Sequence, residues 1–290
     1  MQLLSGPWPA RIAWTLLPLA MGPALGEALS DSARTVEVTG AALAWMTWAA
    51  ILVAVLVPRT AGLTALRICA PAAVVVAGWA AWDGPREAVD LVGVAWAAVV
   101  VLAAFAPTTG DAFVNGSSYG DEQRMTLRVP GSLLLGPLPL AWAAAVAAPV
   151  GAPLMLAAER WVAGALLVLV GGPAAVMAVR ALHGLSRRWV VLVPAGLVLH
   201  DLHAMVDPVL FPRGTIRRLG PAPVDGGGAL DLTQGSLGLA LELELAEPAE
   251  VAPRRSDRSV RVVHVRALLF APTRPGALLR EAAARRIPVA

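Results

Sequence analysis

Residues 161–193 read WVAGALLVLVGGPAAVMAVRALHGLSRRWVVLV, and the fold turns on how this stretch changes character along its length. From Trp161 to Leu182 it is an apolar run long enough to cross about 30 Å of hydrocarbon as a helix. At Arg187 and Arg188 the run stops, and WVVLV opens a series of short segments with a period of two, the spacing of strands. One half of the chain is therefore expected to have lipid as its solvent, and the other to fold as a small β-rich domain.

Working back towards the N-terminus, five further apolar runs give a set of six transmembrane helices at about 12–30, 41–57, 63–82, 91–106, 129–148 and 161–182. The composition agrees. Hydrophobic residues make up 57% of the 290 and charged residues only 15%, against about a quarter in ordinary soluble domains, and the mean hydropathy is +0.68. The fifth run contains Pro130, Pro137 and Pro139, which predict a kink. Gly171-Gly172-Pro173 interrupts the sixth and predicts close packing or a local unwinding. The apolar stretch after Arg11 could imitate a signal peptide. With five more runs following and no clean small-residue cleavage site, it reads as a retained helix.

Basic residues near helix ends resist translocation, so arginine sets the expected orientation. With the N-terminus in the cytoplasm, Arg11, Arg59, Arg67, Arg124, Arg128, Arg180, Arg187 and Arg188 fall inside, and only Arg34, Arg86 and Arg160 fall outside. Trp45, Trp48, Trp79, Trp82 and Trp161 flank the outer loops, as expected of headgroup-level indoles. Trp8, Trp14 and Trp189 mark the cytoplasmic level, and Trp96 and Trp142 lie deeper. The expected localisation is the plasma membrane, multi-pass, with N-terminus and C-terminal domain both cytoplasmic.

The domain division read from this pattern is 1–185 for the helices and 186–290 for the β-rich part. Trp189–Val193 and Leu197–His200 flank Pro194-Ala195-Gly196, a tight-turn signal. Leu237, Leu239, Leu241, Leu243 and Leu245 alternate with small or acidic residues and predict a half-buried strand. Gly226-Gly227-Gly228 predicts a turn, residues 247–259 a polar loop, and Val260–Phe270 a further strand. A helix then starts near Pro275 and ends at Arg285 and Arg286, whose charges suit the negative end of its dipole.

The stretches RALLFAPTRP and GALLREAAARR, a last strand passing into an amphipathic helix, together with the opening WVVLVPAGLVLHD, resemble bacterial pleckstrin-homology-like (PH-like) domains attached to membrane helices. The resemblance covers about the last third of the chain. It implies an α+β domain, a bent antiparallel sheet capped by one helix, that binds a partner rather than doing chemistry. The phosphoinositide-binding relatives use a basic loop between the first strands; the turn Pro194-Ala195-Gly196 is uncharged, which argues against that ligand. In general composition the helical part is similar to actinobacterial multi-pass membrane proteins.

No catalytic constellation stands out, and no cofactor, metal or nucleic acid is expected. The pI near 10.3 comes from scattered arginines without a single lysine, the codon bias of a GC-rich genome. Cys69 is the only cysteine, so neither an intramolecular disulfide nor a cysteine metal cluster can form. His200-Asp201-Leu202-His203 with Asp207 holds metal-ligand residue types, but on a strand positions 200 and 203 face opposite ways. Glu159 and Arg160 precede the sixth helix at its outer end and read as interfacial anchors. The segment 107–128, expected as a cytoplasmic loop, carries Asn115 and Tyr119, the sole asparagine and tyrosine, and is a candidate contact for the C-terminal domain on the same face. It has no phosphate-loop lysine. The expected partners are the lipid bilayer and a protein or membrane complex. The function expected is a non-catalytic scaffold or accessory subunit; the alternative is a small-solute transporter or channel subunit lined by the fifth and sixth helices.

Overall fold

The structure, a computed structural model, describes residues 6–83, 88–223, 228–254 and 262–290. Contacts divide it into two compact units: a helical unit of residues 1–113 and 139–183, and a β unit of residues 114–138 and 184–290. This division takes 114–138 into the β unit, where the sequence boundary near 186 placed it among the helices. The helical pair 139–183 is thus an insertion between two parts of the β unit.

The helical unit contains α1 (Trp8–Thr15), α2 (Leu17–Ser30), α3 (Arg34–Leu56), α4 (Thr60–Asp83), α5 (Ala88–Phe105) and most of α6 (Pro107–Asn115). After β1 (Gln123–Thr126) and the short α7 (Gly131–Leu134), both in the β unit, it resumes with α8 (Pro137–Ala157), α9 (Trp161–Leu166) and α10 (Gly172–Ser186). Among the described residues, six helices are long and apolar enough to cross a membrane: Trp8–Ser30, Arg34–Leu56, Thr60–Trp82, Ala88–Phe105, Pro137–Ala157 and Trp161–Ser186. α1 and α2 form one such helix, interrupted at Leu16 because Pro18, in the first turn of α2, has no N–H to continue the ladder.

The fifth helix lies about nine residues later than the expected 129–148. Pro137 and Pro139 do not kink its interior. They occupy its first turn, where the missing N–H groups have no intrahelical partner to lose, while Pro130 caps α7. The internal prolines are Pro149 and Pro153. In the sixth, residues Leu167–Gly171 form a π-turn that joins α9 to α10 just before Pro173, so the helix runs through the Gly-Gly-Pro motif by local widening.

The β unit is built from two four-stranded sheets. The first has the order β1-β2-β3-β4, with β2 Trp189–Val193, β3 Gly196–His200 and β4 Val209–Pro212, all antiparallel. The second comprises β5 (Ile216–Pro221), β6 (Leu230–Asp231), β7 (Leu241–Val251) and β8 (Val263–Phe270) in the order β5-β7-β8-β6. Its neighbours are antiparallel except the short β6, parallel to β8. The single bent sheet expected is therefore two sheets, and α11 (Pro275–Ala284) follows as expected. Gly196 has no tolerance for a side chain: a Cβ there would run into the Phe211 carbonyl on β4. Leu241, Leu243 and Leu245 point into the core, whereas Leu237 and Leu239 precede the strand and are exposed. β7 continues through residues expected as a polar loop, because Glu250 and Val251 pair with His264 and Val263. Of the expected glycine turn, Gly226 and Gly227 lie outside the described residues. α11 buries Leu278 and Ala282 in the same core as Phe211 and Phe270.

Candidate functional site

The first strand of the β unit comes from the segment expected to be a loop. Gln123–Thr126 pairs with β2 in the register Gln123↔Leu192 to Thr126↔Trp189, and Leu127 N–H donates to the Arg188 carbonyl at 3.0 Å. Met125 and Leu127 enter the core. The contact sought between residues 107–128 and the C-terminal domain is thus a shared sheet.

The loop leading from α6 into this strand is braced from three directions. Asn115 accepts from the Arg124 backbone N–H through Oδ1 at 3.0 Å, and its Nδ2 lies 3.4 Å from Gln123 Oε1. Arg124 donates to Ser117 Oγ and Glu122 Oε2 at 3.1 and 3.0 Å. Arg285, at the end of α11, donates to the Asp121 carbonyl and to the Leu192 carbonyl while paired with Glu281. On this fixed loop Tyr119 is 88% exposed. Asn115 is therefore a bracing residue, and Tyr119 the residue presented.

His200 and His203 do not converge on a metal. His200, the last residue of β3, stacks on Trp189 with centroids 4.6 Å apart and has Nδ1 3.0 Å from the Arg187 carbonyl. Asp201 is taken up by Arg188: two hydrogen bonds of 2.8 and 2.7 Å join side chains that are only 1–2% exposed. Arg188 also donates to the Arg128 carbonyl, and Asp201 accepts from the backbone N–H groups of His203 and Ala204. This network fastens the chain after β1 to the start of β2 and the turn after β3. His203 is half-buried, and burial, then the Arg188 charge, hold its imidazole below the ordinary range. No cluster of three or more potential ligands that could hold a metal ion occurs among the described residues.

In the helical unit, Glu159 and Arg160 form the exposed turn between α8 and α9, with Glu159 at φ 58°. Small residues bring these helices together: a Cβ on Gly164 would lie 2.5 Å from Leu156, and one on Gly171 2.9 Å from the Ala148 Cβ. Beside this seam opens a groove of about 570 Å³ lined by Pro149, Ala152, Pro153, Val168, Gly172 and Val176, with Arg180 its one charged residue. A polar cluster occurs at the start of α4, where Thr64 Oγ1 lies 2.9 Å from His183 Nδ1 and Arg67 lies within electrostatic reach of Asp111.

Four tryptophans take a role that sequence reading missed. Trp14 and Trp48 each donate to the other's backbone carbonyl, at 3.0 and 3.1 Å, Trp96 to the Ala13 carbonyl and Trp142 to the Ile68 carbonyl, both at 2.9 Å. Trp14, expected at the cytoplasmic surface, is 2% exposed. Trp189, expected at the same level, is buried in β2.

Comparison with protein-family models, curated proteins and solved structures finds no match.

Proposed function

We propose that the chain is a multi-pass scaffold or accessory subunit of the plasma membrane, with no catalysis of its own, whose β unit docks a protein partner on the cytoplasmic side. The membrane half of this reading is supported by an inverted distribution of side chains. In the helical unit the buried positions are mostly alanine, such as Ala70, Ala97, Ala104 and Ala148, while Met46, Leu102, Leu169 and Met177 are 61–73% exposed. That is the arrangement expected where the surroundings are as apolar as leucine and helices meet through small residues. Topology adds support. β1 and β2 are hydrogen-bonded neighbours, yet residues 139–183 lie between them in the chain. An insertion that leaves and re-enters one folded unit must cross a bilayer an even number of times, as two helices would.

The docking half rests on Tyr119. An almost fully exposed aromatic ring, held by Asn115, Arg124 and Arg285 rather than left on a loose loop, is preordered for a protein interface, where tyrosine and arginine are enriched. The PH-like assignment belongs to the same reading. It draws support from the chain-order neighbours β1 to β4, from the meander of β7 and β8 beside β5, and from a terminal helix seated in the core. The π-turn next to the apolar groove is the feature that speaks for a transporter. Its lining offers one charged group and no second polar partner for a solute, so the scaffold reading is preferred.

A photo-crosslinking residue at position 119 tests the proposal in native membranes. A discrete adduct is expected there, none from the same residue at Glu159, and loss of the adduct in Arg285→Ala, which frees the loop while leaving the core intact. Absence of an adduct at 119, or one insensitive to Arg285, would overturn docking through this loop.

A further inference from the structure

Three leucines of the β unit lie outside its core in two adjoining loops. Leu135 is 98% exposed, Leu237 69% and Leu239 51%. The loops touch through glycine: a Cβ on Gly131 would fall on the Gly235 carbonyl oxygen, and Gly238, at φ 104°, lies against the Arg128 guanidinium. Residues 235–238 therefore run beside 128–131, and the two loops share an edge of the unit. Most other large aliphatic side chains of this unit form its buried core, with Leu210, Val262 and Val289 40–51% exposed, so the three exposed leucines on two touching loops call for a covering surface.

We propose that this leucine edge inserts into the headgroup–acyl boundary of the bilayer and gives the β unit a second point of attachment to the membrane, besides the chain itself. The occupant follows from covalent continuity. Only Gly136 separates Leu135 from Pro137, where a 21-residue helix of mean hydropathy 1.8 begins. Two residues span at most about 7 Å, so when α8 crosses the bilayer Leu135 sits at its interface, within the 5–10 Å depth that amphipathic segments reach. Leu237 and Leu239 are carried to the same level by the contact of their loop with Gly131. The inference rests on the membrane reading of α8 given above.

The single cysteine makes the test direct. In a Cys69→Ala background, Leu237→Cys, Leu239→Cys, Tyr119→Cys and Leu169→Cys are each labelled with an environment-sensitive fluorophore. The labelled full-length chain is reconstituted in phosphatidylglycerol-containing nanodiscs with shallow or deep spin-labelled lipids. Probes at 237 and 239 are expected to emit to the blue of the probe at 119 and to be quenched roughly twofold or more strongly by the shallow label. The probe at 169, on the exposed face of the sixth helix, answers to the deep label. Emission at 237 and 239 matching that at 119 would overturn the proposal. So would shielding from both lipid labels and aqueous iodide, which would place protein over the edge. Should the probe at 169 also report water, it is the membrane reading of the helices that fails, and the two failures are told apart.

Discussion

The two units solve burial in opposite ways. The helical unit buries mostly alanine, with a few larger side chains such as Leu63 and Leu66, and leaves many leucines, valines and methionines outside; the β unit hides leucine, phenylalanine and methionine and carries most of its charges outside. Each has polar groups inside, also of different kinds. The helices are stitched by tryptophan N–H groups donating to backbone carbonyls, bonds that introduce no charge. The β unit encloses an ion pair, Arg188 with Asp201, in which each side-chain nitrogen and oxygen has a hydrogen-bond partner. In the β unit the loops around β1 and β3 supply the carbonyl and N–H groups that satisfy this pair, while the helical unit buries the carboxylates Asp90 and Asp111.

The largest effect is therefore expected in the β unit, from Asp201→Ala. Removing one partner strands Arg188 in the core, a loss of about 3–5 kcal/mol, read as a lower denaturant midpoint for protease resistance of residues 184–290. Replacing both side chains by leucine and methionine is expected to recover most of that loss. A double variant as unstable as the single one would show that the pair holds the fold in a way an apolar substitute cannot.

The contrast itself can be broken with two leucines. Leu243 is fully buried in β7 and Leu169 is 73% exposed on the sixth helix. Leu243→Ala is expected to cost about 2–5 kcal/mol. Leu169→Ala should stay within about 0.5 kcal/mol, because that side chain meets only its surroundings. Thermal unfolding in detergent distinguishes them. Equal losses would mean that the helical unit has an aliphatic core of the ordinary kind.

An intermediate effect belongs to the seam of small residues. Gly171→Val places methyl groups where the Ala148 Cβ already stands at 2.9 Å from the nearest possible Cβ. Overpacking of this sort costs about 1–3 kcal/mol. The same change at Gly22, which has open space around it, is the matched control. Equal behaviour of the two would remove the seam as a determinant of how α8 meets α9 and α10.

These differences also explain what was legible beforehand. Run length alone places six helices, since long stretches of predominantly apolar residues with few charges are uncommon outside membrane spans, and the alternation of Leu241, Leu243 and Leu245 marks β7. Proline misplaced the fifth helix because its effect depends on position within the helix, and the sequence does not say where the first turn begins. β1 was missed because four residues, Gln123 to Thr126, are too few for a periodic signal, and their partner strand lies some sixty residues onward; the alternation of Met125, Leu127 and Val129 was the faint trace. Arg188 and Asp201 were both noticed for other reasons, one as a topology charge and the other as a possible ligand. Their pairing depends on β2 and β3 lying side by side, which composition does not specify.

The smallest effect sharpens the picture of that pair's surroundings. His203 stands beside it, its proton affinity lowered by burial and by Arg188 and Arg254, against the opposing pull of Asp201 and a hydrogen bond to the Gly184 backbone. With the folded value below the ordinary 6.5, the unfolded chain binds the extra proton first as pH falls. The contribution of the neutral imidazole is thus complete above that ordinary value and is lost as pH drops through the folded one, with a slope of at most one proton. His203→Gln removes the titration and keeps the backbone carbonyl that accepts from Gln234. Unfolding midpoints of wild type and variant, followed from about pH 7 to about pH 5, are expected to converge or cross as the acid limb is reached, because only the wild type loses stability to this group. Parallel curves would mean that protonated His203 is tolerated beside Arg188.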